Sequence, residues 1–145
     1  MEPRYLVDAM LGNVARKLRM LGYDAEYSAD GAGAEAAASS GRILVTKNSA
    51  LLRRAARLHV TTVTGDTEHT IMRRLLRGHM PAVSGERARC AICNGATEEV
   101  PLREALDRAP PGIMHTKFWG CVSCGHLYWE GTHMDRLREA ARDWI

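Results

Sequence analysis

The first 80 residues alternate between short apolar runs and longer amphipathic stretches. Runs rich in apolar or β-branched residues, typical of buried strands, occupy positions 4–7, 25–28, 43–46 and 59–63. Between these runs apolar side chains recur every three or four residues, which predicts helices; the first helix carries Leu11, Val14, Leu18 and Leu21. The order β-α-β-α-β-α-β-α predicts an α/β fold in which a parallel sheet has helices on both faces.

Local signals indicate where these helices begin and end. Gly22 and Gly41 lie where the first and second helices would end in a positive-φ residue. Side chains that favour helix N-caps precede the later helices, which are expected to begin at Asp30, at Asn48 or Ser49, and at Asp66 or Thr67.

The rest of the chain predicts a smaller unit and a final helix. We expect an α/β domain over residues 1–80, a ribbon over 87–130 and a helix over 131–145. A Pro- and Gly-containing stretch, 79–88, is typical of a linker. The final helix, with Thr132 as its expected cap, has an apolar face that should pack back on the body; this face comprises Met134, Leu137, Ala141 and Trp144.

Composition limits the classes of protein that remain. The 145 residues, 46% of them hydrophobic, suffice for one domain, or for a small domain with an appended module. No window approaches the ~18 consecutive apolar residues of a membrane span. Asp8 interrupts the region where a signal peptide needs apolar residues, so we expect a cytoplasmic protein with no membrane partner. The net charge of +3 is compatible with an RNA partner but does not decide it.

The four cysteines form two pairs with metal-site spacing. Cys90 and Cys93 make one CxxC motif, and Cys121 and Cys124 make another, 27 residues further on. Without an export signal, this arrangement predicts one tetrahedral Zn²⁺ site, although two disulfides remain the alternative. The long gap requires an inserted loop, for which Pro110-Pro111-Gly112 supplies a turn.

Polar side chains also follow each predicted strand of the sheet: Asp8, Asp30, Asn48 and Asp66. Ligands of open parallel sheets bind beyond the carboxyl ends of the strands. Clustered oxygen ligands there would suit Mg²⁺ or Mn²⁺, which can activate water and neutralise a phosphoryl oxygen. Alternatively, Asp30, Asn48 and Asp66 serve only as helix caps.

Several motifs resemble a known family. The chain opens with Leu6-Val7-Asp8-Ala9-Met10-Leu11-Gly12, continues through residues 15–24, and has Gly41-Arg42-Ile43-Leu44-Val45-Thr46-Lys47-Asn48. Later motifs are Arg89-Cys90, Cys93-Asn94, Phe118, Cys121, Cys124-Gly125, Tyr128-Trp129 and Gly131-Thr132-His133. Together they resemble the Mut-seven C-terminal ribonuclease family over nearly the whole chain.

The resemblance implies a PIN-type nuclease domain with an appended zinc ribbon, cleaving RNA with a divalent metal. It implies that Asp8, Asp30 and Asp66 hold Mg²⁺ or Mn²⁺. At position 48 the family usually has Asp, whereas this chain has Asn48, which retains a carbonyl ligand but lacks the charge. Asn48 is therefore expected to be a weakened fourth member of the catalytic set.

Basic side chains on the first helix and around the ribbon are candidate RNA contacts: Arg16, Lys17, Arg19, Arg89 and Lys117. Such groups are also typical of solvated helix faces. Phe118, Trp119, Tyr128 and Trp129 could either stack on bases or form the core of the ribbon.

Three hypotheses therefore remain. The first is a metal-dependent endoribonuclease. The second is a non-catalytic RNA-binding or adaptor protein derived from such a nuclease, which the loss of an acid at Asn48 favours. The third is a zinc-ribbon subunit that binds only protein partners and shows no salt-dependent RNA binding.

Overall fold

Four parallel strands form the larger sheet. The structure is a computed structural model, and it describes residues 2–29 and 31–144. The strands are β1 (Tyr5–Asp8), β2 (Ala25–Ser28), β3 (Ile43–Val45) and β4 (Thr62–Val63), in the spatial order β2-β1-β3-β4. The prediction of a parallel α/β sheet is confirmed.

Helices cover both faces of this sheet because its central strands are apolar on both sides. The helices are α1 (Gly12–Met20), α2 (Gly33–Ser40), α3 (Ser49–Arg57) and α4 (Glu68–Leu75). Val7 and Val45 pack into one core with α1 and α4, whereas Leu6 and Leu44 pack into another with α2 and α3. Successive side chains thus point to opposite faces, as the pleat of a strand requires.

The strand order creates a switch point between β1 and β3. From β1 the chain passes through α1 to β2 on one side, and then through α2 to β3 on the other. The connecting helices consequently lie on opposite faces and diverge at the carboxyl ends of β1 and β3. A crevice at such a divergence is the usual ligand site of an open parallel sheet.

Two predicted boundaries differ from the structure for local reasons. The strand predicted over 59–63 is reduced to Thr62–Val63. His59 has a φ of 55°, which continues the turn after α3 and does not fit a strand. The first helix begins later than Met10, because Asp8 accepts a hydrogen bond from the Ala9 N–H and starts a 3₁₀ turn over Ala9–Leu11.

The smaller sheet is antiparallel and consists of β5 (Thr97–Val100), β6 (Phe118–Cys121) and β7 (Leu127–Tyr128). Its core contains Val100, Ala105 and Phe118. The insertion expected as a loop contains the helix α5 (Leu102–Arg108) before the turn at Gly112, which has a φ of 87°. Ala105 is fully buried, so this helix is fixed by packing against the sheet.

The C-terminal helix α6 (Thr132–Ala141) joins the core of the larger sheet. Met134, Leu137, Ala141 and Trp144 are buried with side chains of α1 and α4. The N-cap is Gly131, without a side-chain capping bond, so the expectation that Thr132 caps this helix is wrong. None of the helices in the described residues is long and apolar enough to cross a membrane.

Candidate functional site

Asp8 lies at the carboxyl end of β1, at the switch point of the sheet. The residue is only 8% exposed. One oxygen, Oδ1, accepts from the Ala9 N–H at 2.8 Å, and the other, Oδ2, accepts from the Thr46 hydroxyl at 2.9 Å. These two hydrogen bonds offset the unfavourable desolvation of a buried carboxylate. They also fix the orientation of Asp8.

Thr46 connects Asp8 to the start of α3. This residue follows β3 and is fully buried. Its hydroxyl donates to Asp8 and accepts from the Asn48 N–H at 3.0 Å. A single hydroxyl thus fixes both the carboxylate and the backbone of the next predicted site residue.

Asn48 acts as the N-cap of α3 in this structure. Its Oδ1 accepts from the N–H groups of Ala50 and Leu51, at 2.9 and 3.2 Å. A carbonyl oxygen has two acceptor positions, and both are used here. The side chain is exposed and lies at the same sheet edge as Asp8, but its only ligand oxygen is committed to the helix.

The structure describes only one of the other two predicted acids. Asp30 lies outside the described residues. Asp66 is exposed and follows β4, which is two strands away from β1, or about 10 Å at ordinary strand spacing. Thr67, and not Asp66, caps α4 by accepting from the Thr70 N–H. Asp8 and Asp66 share one edge of the sheet but are not adjacent.

The four cysteines converge, as their spacing predicts. All four are free, and their sulfur atoms lie within 4.8 Å of one another. The separation is 3.6 Å between Cys90 and Cys124 and 3.4 Å between Cys93 and Cys121. A tetrahedron with Zn–S bonds of about 2.3 Å requires sulfur atoms roughly 3.8 Å apart, so this donor set fits Zn²⁺.

Among the described residues, these cysteines are the only group of three or more Cys, His, Asp or Glu side chains placed closely enough to share an ion.

The backbone of the two knuckles stabilises negative charge on sulfur. Burial acts to raise the pKa of Cys121, but N–H groups of Cys124 and Ser123 outweigh it and lower the value to about 6. At Cys93 the Gly95 N–H favours the thiolate, but the three neighbouring cysteine sulfurs and burial together outweigh it and raise the pKa to about 12. At Cys124 a backbone N–H again favours the thiolate, but burial and two of the neighbouring sulfurs raise the pKa. A divalent cation would allow all four cysteines to bind as thiolates.

Asn94 joins the first knuckle to the larger sheet. It has a φ of 68°, a left-handed conformation that Asn tolerates well. Its Oδ1 accepts from the Ala25 N–H of β2 at 3.0 Å, and its Nδ2 donates to Asp24 at 2.7 Å. The first cysteine knuckle is thus hydrogen-bonded directly to β2, the edge strand of the larger sheet.

Arg19, a candidate RNA contact in the sequence analysis, is buried at the same junction. It is 8% exposed and donates to the carbonyl oxygens of Ala25 and Ala91, at 2.8 and 2.9 Å. Arg89 is half-buried and donates to the Asn94 carbonyl from two nitrogens. The structure therefore assigns Arg19 to holding the ribbon on the body, and the Arg89 side chain to stabilising the first knuckle.

The remaining predicted RNA contacts lie on the surface. Arg16 is exposed and donates to Asn13. Lys17 pairs with Glu68 and lies 5.7 Å from the ring centre of Trp144. Lys117 pairs with Glu86 at 2.5 Å, and this contact raises the pKa of the ammonium group. Of these three side chains, only Arg16 has no acidic partner among the described residues.

Thr46 and Asn94 are site residues that the sequence analysis did not assign. A threonine immediately after a strand gives no sign of its partner, because Asp8 is 38 residues away. The signal for Asn94 was available: it follows a CxxC pair at the position where Gly125 follows the other. Both Asn94 and Gly125 adopt positive φ.

Comparison with protein families gave one finding. The family model described as the Mut7-C RNAse domain matches residues 3–141. Comparisons with curated proteins and with solved structures gave no match.

Proposed function

The chain belongs to the Mut7-C RNAse domain family, and on this basis we propose that it is a metal-dependent endoribonuclease of the PIN type. The family supports ribonuclease-type function and RNA as the substrate. Asp8 is the proposed centre of the reaction, with Asp66 as a further acid at the carboxyl ends of the strands of the same sheet and Asp30 as a third acid that the family resemblance implies.

The observation that carries this proposal is the environment of Asp8. Asp8 caps the 3₁₀ turn that follows β1, a role that Asn, Ser or Thr could fill without the burial of a charge. Its two oxygens are oriented by Ala9 and Thr46, while it remains at the edge where ligands of parallel sheets bind. Fixed orientation of a reacting group is what catalysis requires.

The donor set at Asp8 fits a divalent cation that is completed by the substrate. Mg²⁺ is usually held by one or two carboxylates together with waters and substrate phosphates. A bound Mg²⁺ or Mn²⁺ would supply an activated water and neutralise charge on the scissile phosphoryl group. Asp8 would hold the cation at this edge, and Thr46 would keep the Asp8 carboxylate in position.

Zn²⁺ has a different proposed role. Four thiolates fill a tetrahedron and leave no open position for substrate, so the ion at Cys90, Cys93, Cys121 and Cys124 is structural. Through Asn94 and Arg19, it stabilises the attachment of the ribbon to β2.

The test is cleavage of a fluorescently labelled single-stranded RNA while Mg²⁺ or Mn²⁺ is titrated. Asp8→Asn should abolish cleavage and leave the zinc content unchanged. Asp107→Asn is the matched control, because Asp107 is an exposed acid on α5. Cleavage that persists in Asp8→Asn, or that does not depend on the added cation, would reject the proposal.

A second candidate function is RNA binding without cleavage. The observation that favours it is Asn48, whose oxygen is engaged by two backbone N–H groups and which lacks the family's negative charge. In that case the unmodified protein binds RNA but cleaves none at any cation concentration, and Asp8→Asn binds with the same affinity.

A further inference from the structure

A large groove separates the ribbon from the helices of the body. It has a volume of about 1010 Å³ and is bordered by α1, α6 and the segment around β7. On α1 its wall includes Asn13, Arg16 and Met20, which lie on one helical face at intervals of three and four residues. This volume is at the upper limit of small-molecule pockets, about 300–1,000 Å³, so the groove suits part of a polymer.

The charged side chains that line the groove are all basic. Four of its lining residues are Arg or Lys and three are His, and none of the described residues that line it is acidic. The whole chain, by contrast, has 20 basic and 17 acidic side chains. Arg16 and Arg136 are exposed, and neither has an acidic partner among the described residues. Their charges therefore remain available for an anion.

Aromatic rings lie on the ribbon side of the same groove. Tyr128 and Trp129 are half-buried and line it, and His126 lies 4.7 Å from the Tyr128 ring. Gly131 permits this arrangement, because a Cβ there would lie 2.8 Å from Nε1 of Trp129. Rings combined with unpaired cations are typical of proteins that bind single-stranded nucleic acids by stacking and by phosphate contacts.

We propose that the groove between α1, α6 and β7 binds single-stranded RNA, with Arg16 and Arg136 on phosphates and Tyr128 and Trp129 against bases. This inference rests on the proposed ribonuclease function, because it supplies the path of the substrate. The α1 wall begins at Asn13, five residues after Asp8, and extends about 10 Å to Met20. The groove thus leads from the ribbon toward the end of the sheet at which Asp8 lies.

One aromatic side chain of the groove is held in place by the first cysteine knuckle of the ribbon. The Tyr128 hydroxyl lies 3.0 Å from the Cys90 sulfur and accepts from the Ala91 N–H at 3.0 Å. The position of this ring therefore depends on the metal knuckle. Loss of Zn²⁺ should weaken RNA binding without any change at Asp8.

The experiment measures binding of a fluorescein-labelled 12-nucleotide oligouridine by anisotropy at several salt concentrations, in an Asp8→Asn background that prevents cleavage. Each phosphate contact on a single strand contributes a slope of about 0.7 in log K against log salt. Arg16→Ala combined with Arg136→Ala should therefore lower the slope by about 1.4. Arg53→Ala, an exposed arginine on α3 at the opposite face, should leave it unchanged.

Stacking is tested separately at Trp129. Trp129→Leu should weaken binding about fivefold or more, whereas Trp129→Phe should retain most of the affinity. Because Trp129 also packs against Phe118, zinc content and melting temperature are measured for both variants. Should Trp129→Leu prove unfolded, the arginine variants decide the question.

The outcomes separate this inference from the proposed function. An unchanged slope in the double arginine variant, equal binding of a duplex, or binding of an acidic peptide in place of RNA would overturn the groove assignment, even if the protein cleaves RNA through Asp8. If the slope falls as expected but the protein with Asp8 intact cleaves no RNA at any Mg²⁺ or Mn²⁺ concentration, the groove is supported and the nuclease is rejected.

Discussion

Replacement of Thr46 by valine is the sharpest test of how the candidate site is held together. Valine has nearly the shape of threonine, so the fully buried site stays filled. The lost hydroxyl donates to Asp8 Oδ2 at 2.9 Å and accepts from the Asn48 N–H at 3.0 Å. Thr46→Val therefore removes a partner from a buried carboxylate and from a backbone donor at the same time.

The magnitude follows from these two losses. A hydrogen bond to a charged group contributes about 1.5–3 kcal/mol, and a buried donor without a partner costs about 1–3 kcal/mol. The Asn48 N–H is only partly buried, so water offsets some of its loss. We expect Thr46→Val to lower the free energy of unfolding by about 2–4 kcal/mol.

Thr46→Ser is the matched control, because it keeps the hydroxyl and removes one buried methyl group, at a cost of about 1 kcal/mol. Both variants are compared by urea unfolding and by cleavage of single-stranded RNA. Thr46→Val should be the less stable and should lose cleavage, while Thr46→Ser should retain it. If the two variants agree in stability to within about 0.5 kcal/mol and in cleavage rate, the hydroxyl does not position Asp8.

Three further outcomes are expected. Asn48→Asp should leave the free energy of unfolding unchanged, since Asp and Asn cap helices about equally well. If the metal site includes position 48, calorimetry should show tighter Mg²⁺ or Mn²⁺ binding in this variant. An unchanged affinity would mean that Asn48 serves only as a helix cap. Elemental analysis should find one Zn²⁺ per chain, and Gly95→Ala should lower that content, because its Cβ would lie 2.9 Å from the Cys121 sulfur. At Asp24, burial acts to raise the pKa, but hydrogen bonds from Arg42 and Asn94 outweigh it and hold the pKa below the usual 3.8. Ionised Asp24 therefore contributes fully to the free energy of unfolding above pH 3.8, and this contribution is lost as the pH falls through the lowered pKa. Asp24→Asn should lose less stability than the parent protein over this acid range. Equal losses of stability in the two proteins would contradict the prediction.

Prediction from sequence was successful where the signal is local. Each strand or helix must carry apolar side chains on the face or faces that it buries, and this requirement leaves a periodic pattern in its own sequence. The run 43–46 and the spacing of apolar residues from Leu11 to Leu21 are two such patterns. The two CxxC pairs predicted the sulfur cluster because each pair forms its own knuckle. Asp8 was identified because it follows an apolar strand, and this position places it at the carboxyl end of that strand whatever the neighbouring strands are.

Contacts between segments that are distant in the sequence determine which polar side chains are buried. Arg16 and Arg19 lie on the same helix with similar surroundings in the sequence, but one is exposed and the other is buried against Ala91 of the ribbon. The hydrophobic pattern of α1 cannot distinguish them, because the ribbon covers Arg19 with backbone carbonyls and not with apolar side chains.

What the sequence alone determined, then, is the alternation of strands and helices in the larger sheet, the cluster of four cysteines and the carboxylate at the end of β1. Only the tertiary structure decided that Thr46 holds Asp8, that Asn94 and Arg19 attach the knuckle to β2, and that α1, α6 and β7 enclose a basic groove. The physical reason is that burial has a period along the chain, whereas a hydrogen bond between residues dozens of positions apart has none. Such a bond becomes visible only when packing has brought its donor and acceptor within about 3 Å.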